Sequence, residues 1–198
     1  MVFNQELENH FMRLYNVGIV LILKNEFNEP FIIANTHIYW HPKYESVKVI
    51  QSKILLEKIQ LLYDRLNFKK DHVPLVITGD FNSTPSSGVY EFYSRGKLHH
   101  SHKSIVHSDL PCFREEINHS FSLQSSYKET IGEPEFTNFT DGFIDTLDYI
   151  WYSTHTLQPV YSKPLINKSE ASLETALPNS KFPSDHLPLY SKFKTIKQ

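Results

Sequence analysis

The chain reads as a mixed α/β protein built in layers, an α+β arrangement of strands flanked by helices. Two observations predict this. Apolar, β-branched runs of strand length are interrupted by one long stretch whose apolar residues recur at helical spacing. The polar residues with chemical potential fall where the apolar runs end, as in folds whose rigid sheet presents functional loops.

The elements follow in order. Residues 1–15 read as a loop or short helix. Residues 16–24 (NVGIVLILK) and 30–36 (PFIIANT) are two strands, and the short NEFNE connection makes them an antiparallel hairpin. A polar-aromatic loop, THIYWHPKYE, comes next. A helix is then expected over 46–68, where Val47, Ile50, Ile54, Leu55, Ile59, Leu62 and Leu66 recur at helical spacing and face the core. Pro74 opens a strand over 75–78. Thr84 and Pro85 suit the N-cap and first position of a short helix that stops at Gly96. Residues 97–122, rich in His, Ser and charge, read as a long surface loop. Strands are expected at FTNF, over 144–153 and over 157–165, with a last one at LPLYSKFK. Nothing marks a repeat or an interdomain linker.

Composition narrows the function. With 198 residues, 40% hydrophobic and 21% charged, the chain has the make-up of a soluble globular domain with a sizeable core. A net charge of −2 gives no overall basic field for nucleic acid, so a polyanionic substrate needs local cations. The fourteen Phe, eleven Tyr and two Trp are a weak pointer to base stacking. A single cysteine, Cys112, excludes an internal disulfide framework and fits a reducing, intracellular compartment. The longest apolar run, VGIVLIL, is too short to cross a bilayer, and no membrane partner is expected.

Four clusters place polar groups at the junction of strand and loop: His37 with Trp40 and His41; Asp80 with Asn82; Asp148 inside an apolar run; and Asp185 with His186. In a strand, residues two apart share a face, so Asp80 and Asn82 are expected to point together while Phe81 turns to the core. Carboxylates suit a hard divalent cation such as Mg²⁺. An Asp behind a His fixes the tautomer and supports its positive charge. Together these groups describe metal-assisted phosphoester hydrolysis. Taken singly, each has an ordinary alternative, an Asx-turn for Asp80 or a local loop hydrogen bond for Asp185 and His186. The histidines His99, His100, His102 and His107 match no standard zinc spacing and read as a solvated loop.

The stretches ANTHIYWHPK, GDFNSTPSSGVYEF, TLDYIWYS and FPSDHLPL resemble, in order, the motifs of the endonuclease/exonuclease/phosphatase superfamily. The nearest likeness is to the deadenylases of the carbon catabolite repressor 4 type. Within them, GEPEFTNFTDGFIDTLDYI and LETALPNSKFPSDH are most similar to 2′,5′-phosphodiesterase. The resemblance runs from about Asn16 to the C-terminus. It implies a two-sheet β-sandwich flanked by helices, Mg²⁺ (or Mn²⁺) as cofactor, and RNA or oligoadenylate as substrate.

By motif, Asp80 would orient or deprotonate water, Asn82 would bind phosphate and His37 would touch it. His186 would stabilise the developing charge with Asp148 orienting its ring, and Asp185 and His186 would lie near the metal, largely through water. Pro42 and Phe143 would sandwich adenine, with Trp40 and Asn138 also at the substrate. The family also has an early-strand Asn and a metal-binding Glu in a Gln-Glu pair. Nothing before Asn16 has that form, and no apolar strand precedes Gln5-Glu6. The chain is therefore expected to hold the C-terminal portion of the domain, with one sheet partly unformed and the principal metal ligand absent. Two alternatives stand beside hydrolysis of oligoadenylate to 5′-AMP: an inactive remnant that binds nucleotide or a partner, and a nucleotide phosphatase of the same superfamily. Location follows only from resemblance, mitochondrial or otherwise cytoplasmic.

Overall fold

The structure, a computed structural model, describes residues 14–106, 108 and 111–196. Gln5-Glu6 and His107 lie outside the described residues. The first strands, β1 (Gly18–Lys24) and β2 (Pro30–His37), form the expected antiparallel hairpin. The long helix α1 (Glu45–Arg65) then crosses over to β3 (Leu75–Asp80), which pairs parallel to β2. This strand–helix–strand unit is what the alternation of periods predicted.

Helix α2 (Gly88–Arg95) ends at Gly96, whose φ of +75° closes the last turn through its N–H to the Phe92 carbonyl. Its start differs from expectation. Ser87, not Thr84, is the N-cap and accepts from the Tyr90 N–H. The Thr84 carbonyl accepts from the Ser87 N–H, so Thr84 and Pro85 belong to the turn before the helix.

Residues 97–122 are not a surface loop. They contain β4 (Lys97–Leu98), a 3₁₀ turn (Pro111–Phe113) and β5 (Ile117–Asn118). Leu98, Ile105, Phe113, Ile117 and Phe121 are buried in the main core, while His99 and His100 face outward. One apolar anchor every several residues is invisible to a search for helix or strand period, and that spacing hid the packing.

Two further elements were missed for being short, β6 (Leu123–Ser125) and α3 (Ser126–Thr130). The stretch over 144–153 is not one strand. The FTNF run supplies β7 (Asn138–Phe139), which pairs with β8 (Ile144–Asp145). At Thr146, whose hydroxyl donates to the Pro134 carbonyl, the chain leaves that ribbon and re-enters the main sheet as β9 (Asp148–Ser153). A ribbon of β10 (Leu157–Ser162) and β11 (Ser191–Thr195) follows, with the short helix α4 (Lys168–Ala171) between them.

The main sheet has five strands in the order β1-β2-β3-β9-β6. Its two faces differ. Ile32, Ala34, Leu75, Ile77 and Trp151 pack against Val49, Ile50, Leu56 and Ile59 of α1 and against Phe92 and Tyr93 of α2. On the opposite face, Tyr152 meets Phe193 of the β10–β11 ribbon with ring centroids 5.4 Å apart. That ribbon stands where the expected second layer would be. Elsewhere on this face, Ile19 and Leu21 of β1 are 56% and 50% exposed. Phe81 turns inward as expected, with no exposed surface and its ring edge-on to Tyr93, Tyr149 and Trp151.

Gly79 is a fixed point of this sheet. Its φ is +144°, and a Cβ there would lie 1.9 Å from the Thr36 carbonyl oxygen of the neighbouring strand. Gly79→Ala is expected to cost at least about 3 kcal/mol, because both backbone strain and the clash must be relieved by moving β3 from β2. Thermal or urea denaturation measures this; an unchanged midpoint would refute it.

Candidate active site

The sheet register assembles the centre of the site. His37 pairs with Asp80 across β2 and β3, and Asp80 pairs with Asp148 across β3 and β9. Three functional side chains from distant sequence positions thus form one row on the face away from the helices. His37 Nε2 lies 3.3 Å from Asp80 Oδ2.

His186 completes the row from outside the sheet. It forms an antiparallel bridge with Asn138, and the Phe139 and Leu187 N–H groups donate to the carbonyls of Asp185 and Thr137. Its Nδ1 is 2.8 Å from Asp148 Oδ2, and its Nε2 is 3.8 Å from Asp80 Oδ2. The Asp148 carboxylate is itself held by the Thr137 hydroxyl, which donates at 2.6 Å and accepts from the Leu147 and Asp148 N–H groups. Thr137 has no exposed surface and went unnoticed in the sequence, where a Thr in a strand is ordinary.

Electrostatics follow the geometry. The hydrogen bond to Asp148 raises the His186 pKa to about 9; burial opposes this, and the charges of Asp148, Asp80 and Asp185 reinforce it. An imidazolium is then the resting form at neutral pH. Asp80 is pushed above the usual carboxylate range, first by burial and then by the Asp148 charge, against the Asn82 N–H and the two histidines.

Asn82 joins Asp80 by a route other than the pleat. The strand ends at Asp80, and Asn82 has a φ of +44°. Its N–H donates to Asp80 Oδ1 at 2.7 Å, an Asx-turn, and its amide Nδ2 reaches the Ile38 carbonyl at 3.0 Å and Asp80 Oδ2 at 3.3 Å. The shared-face expectation fails because the left-handed residue folds the chain back. The two side chains still meet.

The Asn82 carbonyl accepts from Lys48 Nζ at 2.7 Å, and Lys48 also donates to Glu45 Oε1 at 2.7 Å. Lys48 is only 3% exposed, so the helix expected merely to face the core carries a buried lysine, paired with the part-exposed Glu45, that holds the Asn82 turn. An ordinary Glu-x-x-Lys surface pair has the same spacing, and the sequence offers no way to tell them apart.

A cavity of about 790 Å³ brings together His37, Trp40, Pro42, Asp80, Asn82, Asn138, Phe143, Asp185 and His186. Asp148 opens onto an adjoining cavity that shares Asp80 and His186. Each residue given a catalytic, metal or substrate role by motif therefore lies at one of these two cavities, whereas His41 lines neither. Glu45, Lys48, Ser83 and Lys103 also line the first, the last from the segment misread as surface loop. Phe143 is presented by a tight turn in which Thr140 N–H donates to its carbonyl. Asn138 Nδ2 is within 3.3 Å of both Asp185 O and Oδ2, so this amide braces Asp185.

Among the described residues, Asp80, Asp148 and His186 can offer ligand atoms all within 4.8 Å of one another. Asp185, expected near a metal largely through water together with His186, is not one of these three. A hard divalent cation suits the place, because two carboxylates stand side by side and Asp80 is raised by burial and, after that, by the Asp148 charge.

The endonuclease/exonuclease/phosphatase family model matches residues 36–186. The chain belongs to this family. The chain is 37% identical over 200 residues to the CCR4-Not complex 3′-5′-exoribonuclease subunit Ccr4 of Candida albicans, covering 98% of the chain and 25% of that protein. The Candida glabrata subunit is 39% identical over 193 residues, with coverages of 96% and 22%. The chain thus spans about a quarter of these relatives. ANGEL2, a 2′,3′-cyclic phosphatase solved with adenosine-2′,3′-vanadate, superposes with a TM-score of 0.74 at 29% identity, covering 90% of this chain and 61% of that one. The human Nocturnin catalytic domain gives 0.63 at 27%, with coverages of 92% and 54%. These likenesses agree with the family and the deadenylase branch to which the motifs pointed.

Asp148→Asn is expected to bring the His186 titration down from about 9 toward the ordinary 6.5, as followed by imidazole NMR in metal-free protein. The stabilisation that the Asp148–His186 pair gives the fold is fully present below about 6.5 and is lost as pH rises through about 9, since the folded form holds the proton more tightly. Lys48→Met is expected to destabilise by about 1–2 kcal/mol, chiefly by leaving the Asn82 carbonyl without its donor and the part-exposed Glu45 without its partner, and Glu45→Gln in the same chain should recover part of that loss. Equal denaturation midpoints for Lys48→Met and the parent would contradict this role of Lys48.

Proposed function

We propose that this chain carries the catalytic wall of a divalent-metal-assisted phosphodiesterase that removes 5′-AMP from the 3′ end of adenylate, in 3′,5′ poly(A), 2′,5′-oligoadenylate or both. One observation carries the reading: the His186 ring, held by Asp148, faces Asp80 in the cavity that also holds Asn82, Pro42 and Phe143. The Ccr4 relatives, named as 3′-5′-exoribonucleases, support it.

Asp80 orients the attacking water and takes a proton from it, a role that suits a carboxylate whose pKa burial has raised above the ordinary range. The water oxygen bonds to phosphorus, and the bond from phosphorus to the upstream ribose oxygen breaks, leaving its electron pair on that oxygen, which takes a proton from solvent in the open cavity to become the ribose hydroxyl. His186 donates from Nε2 to the phosphate oxygen that gains charge. Asn82 keeps Asp80 in place and turns its longer bond, the 3.3 Å one to Asp80 Oδ2, toward a phosphate oxygen. Pro42 and Phe143 flank the terminal adenine, and Asp185 is fixed beside it by Asn138. A Mg²⁺ ion, held by Asp80 and its neighbours, would supply charge neutralisation of the phosphate.

A second reading, hydrolysis of a nucleotide phosphate, is favoured by the likeness to ANGEL2. The test is release of AMP from labelled 3′,5′- and 2′,5′-oligoadenylate by protein containing this segment, with Mg²⁺ and with chelator. Adenosine 2′,3′-cyclic phosphate and NADPH run beside them. Turnover of oligoadenylate is expected, with Asp80→Ala lowering kcat by about 10²–10⁴-fold. Cleavage of the cyclic phosphate or NADPH alone would replace the reading, and an Asp80→Ala variant of full activity would end it.

A further inference from the structure

We propose that the loop after β2 forms a second base-stacking platform, beyond the adenine slot, that takes the penultimate base of a single-stranded oligonucleotide. This rests on the oligonucleotide reading of the cavity and adds to it a site for a second nucleotide. Trp40 stands at the cavity rim, yet 62% of it is exposed, unusual for a large apolar ring with no task in the core. Behind it lies a chain of rings. His41 is 4.9 Å from Trp40 between centroids and 5.0 Å from Tyr44, and Tyr39 is 5.9 Å from Tyr44. Tyr44 is itself 42% exposed.

The loop is fixed before any ligand arrives. Tyr39 N–H donates to Gln51 Oε1 at 2.8 Å, Lys43 N–H to His41 Nδ1 at 3.2 Å, and Tyr44 N–H to the His41 carbonyl at 3.2 Å. A rigid aromatic surface loses little entropy when a base settles on it. Pro42, on the same loop, lines the adenine slot, so a base on Trp40 would be next along one strand. Stacking reads no base edge, which fits a platform that accepts whichever base comes second.

The test is calorimetric binding of AMP and of the dinucleotide ApA to the protein, in chelator and with Ca²⁺ in its place. The expected result is that ApA binds about tenfold or more tightly than AMP, and that a Trp40→Ala variant loses this advantage. Trp40→Phe, which keeps a ring, should retain most of it. ApA binding no more tightly than AMP, or an advantage that survives Trp40→Ala, would overturn the platform. If AMP fails to bind while ApA binds in a ring-dependent way, the platform stands and the adenine slot falls. If neither binds under either condition, both fall.

Discussion

Everything catalytic in this chain depends on the register of three strands. Because β2, β3 and β9 pair so that His37, Asp80 and Asp148 are opposite one another, three groups separated by as many as 111 positions become immediate neighbours. A slip of one residue in any strand would turn its member of the row to the helix-covered face. The close approach of Gly79 to the Thr36 carbonyl fixes β3 against β2, one residue before Asp80. Phe81, buried one residue after it, fixes the other side. The aspartate is thus clamped between a backbone contact that admits no side chain and an aromatic ring locked among three others.

The row would be unstable as bare charge. Asp80 and Asp148 are adjacent carboxylates, largely removed from water, and the Asp148 charge adds to the cost of ionising Asp80. His186 answers part of that cost, with one nitrogen on Asp148 and the other facing Asp80. Thr137 answers another part by committing its hydroxyl to Asp148. What remains is an excess of negative charge on one side of an open cavity, which is a natural seat for a cation and, through it, for a phosphate.

Much of this was legible in the sequence. The hairpin came from two apolar runs with a short connection, the crossover helix from its period, and the strand over 75–78 proves two residues longer, reaching Asp80; the ten residues given roles by motif all reach the two adjoining cavities, and His41 does not. The missed parts share a cause. Thr137, Lys48 and Ser87 act through hydrogen bonds to groups distant in sequence or to backbone, and their residue types are common on surfaces. The packing of residues 97–122 rests on isolated apolar anchors without period, which composition masked with histidines. Asn82 was placed beside Asp80 for a wrong reason: the pleat does not extend that far, and a left-handed turn stabilised by Lys48 does the work instead.

The exposed face of β1 has a consequence for handling. Among the described residues this strand pairs only with β2, so one of its backbone edges has no strand beside it, and Ile19, Leu21 and Leu23 turn apolar surface to solvent. An edge of that kind is a template for another chain. Any second chain that paired there would make the molecule's state depend on concentration, which is how an open edge turns a local feature into a property of the sample.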